Sequence, residues 1–108
     1  VVVPDWAAWR RSRVPTLSGL DYLSLAPHWV CEVLTPATVA LDRVQKLPIY
    51  AREGVRYAWL LDPALGTLEV LALEGGRWTI LGTHAGSDLV RAEPFTEIEL
   101  DLALLWAD

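Results

Sequence analysis

The chain has 108 residues, 53% of them hydrophobic, with a formal net charge of −5, six tryptophans, one cysteine and no methionine. That is one domain at most, apolar enough to bury a core and not disordered by composition. A single cysteine excludes an internal disulfide, and the acidic balance argues against a general nucleic-acid binder that displaces counterions with a basic face. It does not exclude an enzyme that meets phosphates through a metal ion.

The opening "VVVPD" lacks the charged region and apolar stretch of a signal peptide. No apolar run approaches the roughly 20 residues of a membrane span. With no methionine and a start inside a strand-like run, residues 1–108 read as a single domain from the C-terminal part of a longer protein. The unpaired cysteine fits a reducing compartment, so a cytoplasmic location is expected.

In chain order, Val1 to Val3 read as a strand stopped by Pro4. Residues 10–27 carry Pro15, Gly19 and Pro27 and read as loop. Residues 29–34, "WVCEVL", form a strand closed by Thr35-Pro36. Residues 38–53 read as a helix, with Thr38 as N-cap and Gly54 at the stop. Pro48 should kink this helix or split it, opening a second short helix itself. Residues 55–61, "VRYAWLL", form a nearly continuous apolar strand, central and covered on both faces. Asp62-Pro63 ends it and Leu65-Gly66 turns. "TLEVLALE" then alternates, Gly75-Gly76 turns, and "RWTILGTH" returns as a hairpin. The last residues add a short strand and a helical turn.

Strand, helix and strand from Trp29 to Leu61 imply a parallel pair with a right-handed crossover. The later strands are meander-like. The fold class is therefore α/β (α+β), a mixed β-sheet with one covering helix.

Glu32 is the residue this plan does not explain, because a carboxylate in a buried strand is costly unless something pairs with it. An arginine partner is one ordinary answer. Lys46 is the only lysine beside eight arginines, and lysine is the cation whose protonation a protein can tune. Its ordinary partner would be Asp42, four residues earlier. Asp42, Lys46 and Tyr50 share one helix face if Pro48 preserves the phase. Asp5, after Pro4, is ordinary turn chemistry when taken alone. Together, two carboxylates at neighbouring strand ends and one ammonium from the covering helix make a compact site, with hard oxygen donors suited to Mg²⁺ or Mn²⁺.

The string "VVVPD…VCEVLTPAT…LDRVQKLPIYAREGVRYAWLLDP" resembles the Uma-two family of restriction endonucleases, within the PD-(D/E)-x-K nuclease superfamily. The match runs from Val1 to about Pro63 and more weakly to Trp106. The resemblance implies a restriction-endonuclease-like core lacking its N-terminal elements. It also implies Asp5 and Glu32 as ligands of Mg²⁺ or Mn²⁺, with the Val33 carbonyl as a further ligand. Asp5, Glu32 and Lys46 would be catalytic, and DNA the substrate. From the residues themselves, Tyr50 reads as helix–sheet packing or a phosphate contact, Asp42 as a salt-bridge partner or a group behind the ligands, and Arg10 and Arg11 as a solvated run or phosphate contacts.

One departure matters. The superfamily lysine stands two residues after the acid, on the same strand face. Here that position is Leu34, so Lys46 would have to supply the cation from the helix. Besides a metal-dependent endonuclease, expected as a homodimer, two readings stay open. One is a nuclease-fold module that binds or assembles without cutting. The other is a structural dimerisation fragment that uses the exposed sheet edges.

Overall fold

The computed structural model describes residues 6–8, 27–38 and 40–106, without the side chains of residues 6–8, 41 and 42. Among these residues, nine regular elements and one π-helical run follow in order. They are β1 (Trp6–Ala8), β2 (Trp29–Val33), the π-helical run Leu41–Lys46, α1 (Leu47–Glu53), β3 (Tyr57–Asp62), β4 (Thr67–Glu74), β5 (Arg77–Ala85), β6 (Leu89–Val90), β7 (Leu100–Asp101) and α2 (Ala103–Trp106).

Strands β1 to β5 form one sheet in sequence order, and β6 pairs with β7 in a second, two-stranded sheet. The β2–β3 pair is parallel, as the helical crossover requires, and the β1–β2, β3–β4 and β4–β5 pairs are antiparallel. The mixed sheet with a covering helix is thus the architecture expected. The expected strand at residues 1–3 lies outside the described residues. The strand seen there, β1, starts at Trp6, which pairs with Cys31.

Successive strand residues point to opposite faces, and the apolar residues sort accordingly into two cores. Val30, Leu34, Ala58, Leu60 and Leu71 lie under Leu47 and Tyr50 of α1. On the other face, Cys31, Trp59, Leu68 and Val70 are covered by Val90, Ala92 and Leu102. Trp29, Trp59 and Phe95 pack edge to face there, with ring centroids 5.1–5.7 Å apart. The Trp59 indole donates to the Glu93 carbonyl at 2.7 Å, tying the C-terminal segment to the sheet. The near-continuous apolar character of β3 follows from this double cover.

The helix departs from a single α-helix over residues 38–53. Thr38, expected as its N-cap, bonds to Thr35. Its hydroxyl takes the Thr35 amide at 3.2 Å, and its own amide meets the Thr35 hydroxyl at 3.2 Å, closing a turn ahead of the helix. Pro48 explains the rest. It has no N–H to close an α-bond onto Val44, and its ring crowds that carbonyl. The turns before it are therefore π-helical, and α1 starts afresh with Pro48 in its first turn. Gly54 ends α1 in the left-handed conformation at φ 83°, its amide bonded to the last carbonyls. No helix among the described residues is long and apolar enough to cross a membrane.

Candidate active site

The site begins with parity along β2. Val30, Glu32 and Leu34 face α1, and Cys31 faces the opposite core. Glu32 is therefore carried under the helix and is 0% exposed, the one buried charged residue among those described. Cys31 is buried in that opposite core, as its facing predicts.

Two side chains come down from the helix to the two oxygens of Glu32. Lys46 Nζ donates to Oε2 at 3.2 Å. The Tyr50 hydroxyl donates to Oε1 at 2.5 Å. Lys46 and Tyr50 are four apart and share a face, and the break before Pro48 does not separate them. Leu34 stands on the same face as Glu32 but is 3% exposed and packed into the core. Leu34 thus fills the strand position two residues after Glu32 with hydrocarbon, and the ammonium beside Glu32 comes from the helix.

The register shows a further pair that sequence reasoning missed. Glu32 lies opposite Leu60, and Leu60 lies opposite Glu69 on β4. Glu32 and Glu69 thus occupy one row across the helix-covered face. Arg43 Nη1 takes Glu69 Oε1 at 3.1 Å. The π-helical run Leu41–Lys46 is therefore held to the sheet at its middle by Arg43 on Glu69 and at its C-terminal end by Lys46 on Glu32. A signal was present: "TLEVLALE" puts Glu69 on the same face as Leu71, an anomaly of the same kind as Glu32.

The pair energetics are close to balanced. At 3.2 Å the Lys46–Glu32 attraction is about 5 kcal/mol for an effective dielectric near 20. Desolvating each ion costs several kcal/mol. The phenol bond adds a charge-assisted term of about 2 kcal/mol. Stability alone does not account for keeping this pair buried.

Of the remaining candidates, Asp5, Arg10 and Arg11 lie outside the described residues, as does the side chain of Asp42. Trp6, the residue after Asp5, pairs with Cys31, the neighbour of Glu32. Among the described residues no group of three or more His, Cys, Asp or Glu could hold a metal ion. The donor set nevertheless suits a hard cation. Mg²⁺ keeps several waters and takes one or two carboxylates together with substrate phosphate, and Glu32 supplies one such carboxylate. His28 stacks edge to face on Tyr57 at 5.3 Å. Asp62 holds the turn after β3 by accepting from the Leu65 amide at 3.2 Å.

A family model described as "Uma2: Putative restriction endonuclease" matches residues 1–104. No curated protein matches the chain. A solved structure from Anabaena variabilis ATCC 29413, described as a putative nuclease belonging to DUF820, is similar to it, with a TM-score of 0.70 and 23% sequence identity. The match covers 97% of this chain and 59% of that one, so the chain spans well under two thirds of that protein's length. At that identity the likeness is one of fold.

Proposed function

We propose that this chain, which belongs to the Uma2 family, carries the catalytic site of a metal-dependent endonuclease that hydrolyses DNA phosphodiester bonds. The observation that supports it best is the fully buried Glu32 with Lys46 brought to Oε2 from the helix. Acid and ammonium stand side by side although the strand position two residues after the acid is Leu34. A pair that contributes little net stability is readily understood if chemistry requires it.

In this reading Glu32 and Asp5 hold Mg²⁺ or Mn²⁺, with the Val33 carbonyl as a third oxygen. The cation, when bound, polarises a phosphoryl oxygen and acidifies a bound water. Lys46, 20% exposed at its side chain, reaches toward solvent on a flexible stem. It can leave Oε2 to stabilise charge developing on the phosphoryl group. Arg10 and Arg11, and Asp42 on the helix, belong to the same proposal as groups near the phosphate or behind the ligands. With a net charge of −5, DNA is met through the cation and local arginines rather than through a general basic face.

A second reading is a nuclease-fold module that binds without cutting. The acidic balance, a net charge of −5, favours it. Such a module would present β5, the edge strand of the sheet among the described residues, where Ile80 is 59% and Leu81 41% exposed, to a partner or a second copy.

A plasmid-nicking assay with Mg²⁺ or Mn²⁺ separates the two readings. The endonuclease reading expects cleavage by the wild type and a loss of at least 100-fold in Glu32→Gln and in Lys46→Met. Cleavage that survives unchanged in both variants would refute this site. A wild type that binds DNA and never cuts it would leave the second reading.

A further inference from the structure

Tyr50 is 4% exposed, and its hydroxyl is held on Glu32 Oε1, the oxygen opposite the one Lys46 takes. The two partners are anchored differently. Tyr50 belongs to α1 proper, with its side chain in the core among Val30, Leu34 and Leu60. Its own carbonyl accepts the Val55 amide at 3.0 Å, beside the Gly54 cap. A tyrosine so held has two side-chain torsions and little freedom in either. Lys46 sits at the junction where the π-helical run meets α1, partly exposed, on a four-carbon stem with three rotatable donors.

We infer that Tyr50 is the positioning residue of this site. It clamps Oε1 and so fixes the plane of the Glu32 carboxylate, leaving Oε2 as the side on which Lys46 and an incoming divalent cation alternate. This rests on the reading of Glu32 as a metal ligand. It assigns opposite roles to two side chains that touch the same carboxylate. Tyr50 stays on Oε1 when the cation binds, and Lys46 moves away. Tyr50 is accordingly not a phosphate contact. Glu32 accepts from both donors, and the assignment calls for no proton transfer.

The experiment is Mn²⁺ binding by calorimetry to the wild type, Tyr50→Phe, Lys46→Met and Glu32→Gln. Removing a partner that orients a metal ligand typically weakens affinity by roughly 10- to 100-fold. Tyr50→Phe is therefore expected to weaken Mn²⁺ binding at least tenfold. Lys46→Met, which removes a competing cation, is expected to leave binding equal or tighter. A merely structural tyrosine would lower thermal stability without this opposition of signs. Binding that depends on Glu32 but is unchanged in Tyr50→Phe overturns the assignment alone. Wild-type binding that is absent, or is matched by Glu32→Gln, overturns the metal reading and the assignment with it.

A second measurement does not need the Phe variant to fold. In a Tyr22→Phe/Tyr57→Phe background Tyr50 is the sole tyrosine, and the intensity ratio of its tyrosine Raman doublet reports whether the hydroxyl donates. The doublet is expected to show a strong donor with and without Mn²⁺. A shift away from the donor pattern when Mn²⁺ is added overturns the clamp.

Discussion

Replacing Lys46 by Met removes the ammonium from Glu32 Oε2 and keeps most of the hydrocarbon stem. Glu32 is fully buried and retains the Tyr50 hydroxyl on its other oxygen. A hydrogen bond to a charged group contributes about 1.5–3 kcal/mol. Breaking a fully buried ion pair costs about 3–5 kcal/mol, because a charge is left uncompensated. The Lys46 side chain is 20% exposed, so water can enter where the ammonium stood, and the lower range applies. The expected loss is about 2 kcal/mol, which for a domain of this size lowers Tm by roughly 8–16 °C. Urea unfolding followed by tryptophan fluorescence measures it. The same substitution in a Glu32→Gln background is expected to cost less than about 1 kcal/mol, since no buried charge is then stranded. Equal losses in the two backgrounds would refute the argument, because Lys46 would then be acting through its stem and not through Glu32.

Arg43→Ala is expected to cost under about 1 kcal/mol, since its side chain is 45% exposed and water screens the pair with Glu69; the loss should shrink further in urea melts at 1 M salt. Gly54→Ala places a Cβ at φ 83°, where nothing lies within 4 Å to clash. The backbone conformation alone should therefore cost about 1 kcal/mol, read from the denaturation midpoint. Trp78→Phe loses the indole bond to the Leu47 carbonyl at 2.8 Å. About 1 kcal/mol is expected, together with faster amide exchange at the start of α1.

What could be read in advance followed the range of each signal. The β4–β5 hairpin is visible in its alternation and its Gly75-Gly76 turn, because period-2 patterning and turn chemistry act over neighbouring residues. One detail escaped. The register shifts between Val70 and Leu71, where the two strands no longer advance together. The Pro48 break was legible as an ambiguity, and the structure resolves it as a π-helical run followed by a new helix. The partner of Lys46 was open from residue spacing between Asp42 and Glu32, and the resemblance to a nuclease family pointed to Glu32. Arg43 and Glu69 went unread because their pairing spans 26 residues and depends on register.

The amino-acid sequence by itself determined the mixed sheet, the crossover helix, the buried facing of Glu32 and the separation of Cys31 to the other face. All of these follow from local periodicity and breakers. Only the tertiary structure decided who meets Glu32. Lys46 and Tyr50, which meet it among the described residues, lie 14 and 18 residues away in the chain. Whether either could reach it depended on the parallel β2–β3 register, on the wide turn before Pro48 and on the packing of α1. Those are interactions at a distance along the chain, and no periodicity within a single segment encodes them.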